Sequence, residues 1–145
     1  SMAHPAKMYT PLAQRIIQDY SKPGDTILDP MGGIGTTAIE ASRLGRNGII
    51  NEYEKRFVNE AKKNMILLER SGQKIGDVKI IYGDARNIKI NKKVDLVITS
   101  PPFADILAGG KNDNIDEYKH GSAGKYYSTD KTNIGTMKGD EFKTE

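Results

Sequence analysis

The chain predicts an α/β fold built on a parallel sheet, and three observations carry that prediction. Short apolar runs at residues 26–29, 48–52, 78–82 and 94–98 alternate with stretches of helical periodicity. A glycine-rich loop, Asp29-Pro30-Met31-Gly32-Gly33-Ile34-Gly35-Thr36-Thr37, joins the first run to a helix. The last run is stopped by Pro101-Pro102, neither of which donates a backbone hydrogen bond to a ladder. Strand–helix repetition implies right-handed crossovers between parallel neighbours.

The elements follow in order. Thr10 is an N-cap candidate, Pro11 suits the first helical position, and Leu12, Ile16 and Ile17 form an apolar stripe. Pro23-Gly24-Asp25 turns the chain into the first strand, residues 26–29. A helix is expected over residues 36–44, with Gly45 just past its end. Residues 48–52 make a second strand. A longer helix covers 54–70, with Phe57, Val58, Ala61, Met65 and Leu68 on one face and Gly72 beyond it. Strands at 78–82 and 94–98 complete the sheet. From residue 104 the chain is polar and holds six of the fifteen glycines, with no legible helix or strand. The expected division is a core at 1–103 and a flexible segment at 104–145, the latter a functional loop or the start of a further domain.

Composition bounds the chemistry. At 145 residues with 37% apolar and 28% charged residues, the chain suits one globular domain. No apolar stretch approaches the roughly 20 residues that span a bilayer, so a cytoplasmic location without membrane contact is expected. The chain has no cysteine, which excludes disulfides, thiolate zinc sites and the thiol attack that methylation of cytosine carbon 5 requires. His4 and His120 form no ligand pair, and no metal is expected. Residues 1–103 carry 16 Lys and Arg against 11 Asp and Glu, whereas 104–145 carry 6 against 8. The basic core is compatible with a polyanionic partner.

Acids stand at three successive strand ends. Asp29 opens the glycine loop, which lacks both the G-x-G-x-x-G spacing of a dinucleotide site and the GK[ST] of a phosphate loop. An acid there disfavours a pyrophosphate and favours an ammonium-bearing ligand. Glu52, seventeen positions after Gly35, can accept from both hydroxyls of a ribose. Asp84 can accept from an adenine amino group, with Ala85 allowing close approach. Each acid alone also suits a helix cap or turn. Together, in register with the loop, they describe S-adenosylmethionine better than a nicotinamide cofactor. At the fourth strand's end, Ser100 and the Pro101 carbonyl can accept from the exocyclic amine of a flipped base. Pro102 stiffens that turn, and the Phe103 ring can stack on the base.

With those residues in place, the chain resembles an amino-group DNA methyltransferase over residues 4–103. His4-Pro5-Ala6-Lys7-Met8 resembles the family's segment over the cofactor's methionine end, where Lys7 and Tyr9 are candidate contacts. Asp29 to Thr37, including Pro30, Met31, Thr36 and Thr37, resembles the cofactor loop. Asn51-Glu52-Tyr53 resembles the ribose-binding acid, and Gly83-Asp84-Ala85 the adenine step. Ser100-Pro101-Pro102-Phe103 resembles the catalytic tetrapeptide, whose leading serine is usual for cytosine N4 and whose leading aspartate or asparagine is usual for adenine N6.

The resemblance implies a class I, Rossmann-like methyltransferase sheet, here partial, with four strands in the order 3-2-1-4 and an apolar edge at the fourth. The chain is then expected to be an amino-terminal part or one half of a split enzyme, completed by a second polypeptide or by self-association at that edge. The expected reaction is direct, in-line methyl transfer to a DNA amine, with cytosine N4 ahead of adenine N6. Two alternatives stay open: an RNA amine as substrate, and a cofactor-binding half-domain inactive alone.

Overall fold

Parallel strands need both an apolar run and a helix to cover it, and Ile27 and Ile50, both fully buried, show how this chain meets that need. The computed structural model describes residues 8–101. Residues 8–100 lie in one compact unit. The elements are α1 (Thr10–Tyr20), β1 (Thr26–Asp29), α2 (Thr36–Arg43), β2 (Asn47–Glu52), α3 (Lys55–Arg70), β3 (Val78–Tyr82), a single 3-10 turn (Ala85–Asn87) and β4 (Leu96–Val97). All strand pairs are parallel, in the order β3-β2-β1-β4. The expected sheet is therefore the one observed.

Register places the core. Ile27 lies opposite Gly48 and Asp29 opposite Ile50, so these four side-chain positions share a face. Ile27 packs with Ile17 of α1, Ala41 of α2 and Ile98, while Ile50 packs with Ala38 of α2 and Ala61 of α3. All three helices thus cover the same side of the sheet. Gly48 lets α2 come close: a Cβ there would stand 2.5 Å from the Ala38 Cα and 2.7 Å from its carbonyl oxygen.

The amino end of the sheet is locked by polar side chains. Ser42 Oγ donates to the Gly76 carbonyl at 2.6 Å. Asn47 donates to the Gly24 carbonyl at 3.2 Å and accepts from the Asp77 amide at 3.0 Å. The buried Arg46 guanidinium donates to the Ser21 and Leu44 carbonyls at 2.7 and 2.6 Å and to Ser21 Oγ at 3.1 Å, so its charge is hydrogen-bonded throughout.

Several expectations are corrected in detail. The α1 N-cap is Tyr9 rather than Thr10, with no side-chain cap, and Pro11 sits one residue further into the first turn. Leu12 is half exposed, and the buried line of α1 is Ala13 and Ile17. Strand β4 is two residues long rather than five. Backbone pairing to β1 continues on both sides of it, from the Asp95 amide to the Thr26 carbonyl and from the Ile98 amide to the Leu28 carbonyl, both at 2.9 Å, and the Asp95 carboxylate accepts from the Thr26 amide at 2.9 Å. Residues 1–7 and 102–145 lie outside the described residues, so the segment expected to be flexible at 104–145 lies there too. Among the described residues no helix is long and apolar enough to cross a membrane.

Gly48→Ala is expected to lower unfolding stability by about 3 kcal/mol, because the added methyl meets helix backbone and not a movable side chain. Urea denaturation of the two proteins measures the difference.

Candidate functional site

A strand end with a free carboxylate and a following helix N-terminus leaves several backbone donors to satisfy. In this chain two buried acids take them. Asp29 ends β1 and is 3% exposed. It accepts from the Met31 amide at 3.1 Å and from the Thr37 hydroxyl at 2.7 Å, and Thr99 donates to it as well. Asp29 therefore joins β1 to the first turn of α2 and to the residue preceding Ser100. Glu52 ends β2 and is 8% exposed. One of its oxygens accepts from the Gly33 amide at 2.8 Å and the other from the Glu54 amide at 2.7 Å, so the second acid grips the glycine loop across 19 residues of sequence.

The loop itself is folded tightly. Gly35 caps α2 with φ at +91°, a conformation that a side chain disfavours, and its amide donates to the Gly32 carbonyl at 2.9 Å. The Gly32 amide donates to the Asn51 carbonyl at 2.9 Å, and Asn64 of α3 donates to the Ile34 carbonyl at 3.0 Å. Gly33, Gly35 and Thr37 are buried, while Pro30, Met31, Gly32 and Thr36 are half-buried. Neither Asn64 nor Asn51 was singled out as part of a site from the sequence. The signal for Asn51 was present, since an amide inside an otherwise apolar strand is buried only with partners.

Burial pushes both carboxyls up. For Asp29 the desolvation outweighs the hydrogen bonds from Thr37, Met31 and Thr99. For Glu52 it outweighs the Glu54, Gly33 and Tyr53 amides and is reinforced by the Glu54 charge. Burial therefore disfavours the ionised form of both groups, and a cationic or hydroxyl-bearing ligand would offset that cost.

The remaining predicted residues divide. Tyr53 follows Glu52 and is half-buried. Asp84 caps the 3-10 turn that begins at Ala85, the cap or turn role that an acid after a strand also suits. Its carboxylate is held by Arg86, whose amide donates to it at 2.9 Å and whose guanidinium donates at 2.7 Å, and this holds the Asp84 carboxyl below its usual range. An amine ligand at Asp84 would compete with Arg86. Tyr9 is 70% exposed at the start of α1. Ser100 follows β4 and is exposed, as is Pro101. Lys7, Pro102 and Phe103 lie outside the described residues. Among the described residues no group of three or more His, Cys, Asp or Glu is placed to hold a metal.

The raised carboxyls set a pH dependence. A carboxyl raised on folding binds its proton more tightly in the folded chain, so its contribution favours folding below its unfolded value and is lost as pH rises through the folded one. Both carboxyls are shifted upward, which puts the loss above the ordinary carboxylate range. Asp84 and Asp95 shift the other way and act below it. As pH rises above the ordinary carboxylate range the urea midpoint of the ligand-free chain is expected to fall, and less steeply in Asp29→Asn. Parallel slopes would contradict the assignment.

The part of the chain that carries these residues is matched in known proteins. Residues 1–63 match the family model for DNA methylase, N6_N4_Mtase. The type II methyltransferase M2.DpnII of Streptococcus pneumoniae is 44% identical over 62 residues, covering 43% of this chain and 23% of that protein. The tRNA (guanine(10)-N2)-dimethyltransferase of Methanothermobacter thermautotrophicus is 32% identical over 115 residues, covering 77% of this chain and 33% of that protein. The chain thus spans a third or less of the length of these relatives. An RNA methyltransferase from Salinibacter ruber, solved in complex with S-adenosyl-L-homocysteine, superposes with a TM-score of 0.54 at 22% identity, over 63% of this chain and 58% of that one. That likeness concerns the fold, a class I methyltransferase sheet. The matched residues contain the glycine loop and the Glu52 strand end that build the site, and over them the chain is similar to the amino-group, N6/N4 methyltransferase family.

Proposed function

We propose that this chain binds S-adenosylmethionine at the carboxyl ends of β1, β2 and β3, and that its protein transfers a methyl group to the exocyclic amine of a nucleic-acid base. The observation that carries the reading is the buried Glu52 carboxylate, which grips the Gly33 amide at 2.8 Å beside the left-handed Gly35 cap. A carboxylate offers four lone-pair sites. The amides of Gly33, Tyr53 and Glu54 do not use all of them, which leaves capacity for a ribose hydroxyl. Asp29, buried and short of water, suits a positively charged methionine end.

The cofactor supplies an electrophilic methyl on a sulfonium, so the chain's own residues mainly orient and desolvate. The Ser100 hydroxyl accepts from the target amine and aims the nitrogen lone pair. Thr99, bonded to Asp29, ties that serine to the cofactor loop. Pro101, Pro102 and Phe103 are assigned to the same turn on the strength of the tetrapeptide, and Phe103 to stacking on the base, worth roughly 1–3 kcal/mol. Lys7 and Tyr9 are assigned to the methionine end, and Asp84 and Ala85 to the adenine.

DNA is the favoured substrate, with cytosine N4 ahead of adenine N6 because Ser100 leads the tetrapeptide. An RNA amine is the second reading, favoured by the 32% identity with a tRNA methyltransferase. A third is a cofactor-binding half whose catalysis needs a second polypeptide at the β4 edge, where Val97 is 55% exposed.

Calorimetric titration with S-adenosylmethionine is expected to show binding that Glu52→Ala weakens at least about tenfold, the loss of a charge-assisted hydrogen bond. Ser100→Ala is expected to keep that affinity and lower the methylation rate roughly 10²-fold. Mass analysis of a cytosine-containing duplex and of tRNA, each incubated with chain and cofactor, separates the substrates. Binding without product on either supports the half-domain. No binding by the unaltered chain would defeat the proposal.

A further inference from the structure

Resting on that cofactor reading, we infer that Asn51 is a positioning residue, the clamp that sets the spacing between the loops after β1 and β3. Asn51 is 1% exposed. Strand alternation puts it on the sheet face opposite the one that Gly48 and Ile50 turn toward the helices. Its Nδ2 donates to the Pro30 carbonyl at 3.2 Å and to the Gly83 carbonyl at 2.9 Å. Its own carbonyl accepts from the Gly32 amide at 2.9 Å. One residue therefore holds the loop that begins at Asp29 and the loop that carries Asp84, on either side of the strand that ends in Glu52.

The arrangement is asymmetric in a way that packing alone does not explain. Asn51 Oδ1 is buried with no hydrogen-bond partner, and an ideal Cβ on Gly83 would stand 3.4 Å from it. The amide cannot turn over to relieve this, because Oδ1 would then face two carbonyls. An unmade bond to a buried acceptor carries its full desolvation cost, and an apolar side chain of similar volume would fill the position without it. What the asparagine supplies in return is the pair of bonds to Pro30 and Gly83. Those bonds stabilise the relative placement of two ligand-facing loops, which a ligand spanning both would feel directly.

The test compares Asn51→Leu with Ser42→Ala, which removes a buried side-chain bond at the opposite end of the sheet. Asn51→Leu, which removes both positioning hydrogen bonds, is expected to bind S-adenosylhomocysteine at least about tenfold more weakly, a loss larger than its change in melting temperature accounts for. Ser42→Ala is expected to lower the melting temperature and leave that affinity within about twofold. Amide hydrogen exchange in the ligand-free chains supplies a readout independent of the cofactor. Asn51→Leu is expected to speed exchange in residues 31–33 and 84–86 together, and Asn51→Ser serves should the leucine variant fail to fold. Unaltered affinity in the Asn51 variant, or losses that simply track melting temperature in both variants, would overturn the inference. So would unchanged exchange in the two loops. If the unaltered chain binds no cofactor while exchange rises in both loops, the clamp stands and the cofactor reading fails.

Discussion

The hydrogen bond from the Gly33 amide to Glu52, 2.8 Å long and buried, is the contact through which the loop after β1 and the end of β2 become one structure. A carboxylate at 8% exposure must be surrounded by donors or it will not stay charged. The donors available at a sheet's carboxyl end are the unpaired amides of the loops and of the helix starts. Glu52 collects one from the glycine loop and one from Glu54 at the start of α3. The loop is consequently pinned at its middle as well as at its ends, and the helices on either side are referred to the same point.

Asp29 repeats the device one strand over. Its partners are the Met31 amide, the Thr37 hydroxyl and Thr99, so the first acid links β1, α2 and the segment leading into Ser100. Two neighbouring acids, both pushed up by burial, leave this end of the sheet rich in acceptors and poor in water. That environment suits a ligand carrying both a positive charge and hydroxyls. It contrasts with the amino end, where Arg46, Ser42 and Asn47 donate to backbone carbonyls.

Most elements were legible from local pattern. Strand β3 and strand β1 fall where the apolar runs stand, and Phe57, Val58, Ala61 and Leu68 form the buried face of α3 that their spacing indicated. Failures came where a partner distant in sequence decided the outcome. Beside the short strand β4, the Asp95 carboxylate bonds to the Thr26 amide 69 residues away, a contact no local pattern reports. Leu12 is apolar yet half exposed, because α1 meets the sheet through Ala13 and Ile17. At the site, Asp29 and Glu52 were recognisable as acids at strand ends. Their burial and the donors that hold them were not, since those depend on how the strands lie side by side.

The amino-acid sequence by itself determined the alternation of strands and helices, the glycine-rich loop that lets the backbone bend sharply after Asp29, and the pair of prolines that follows Ser100. Each follows from backbone and side-chain chemistry acting over a few residues. Tertiary structure alone decided that Glu52 would grip Gly33, that Arg86 would hold Asp84, and that Asn51 would bridge Pro30 and Gly83 with one oxygen left unpaired. The Glu52 and Asn51 contacts join strand ends that meet only once the parallel register is set. The Arg86 contact, local in sequence, forms because Ala85–Asn87 closes into a turn that Asp84 caps, where periodicity carries no signal.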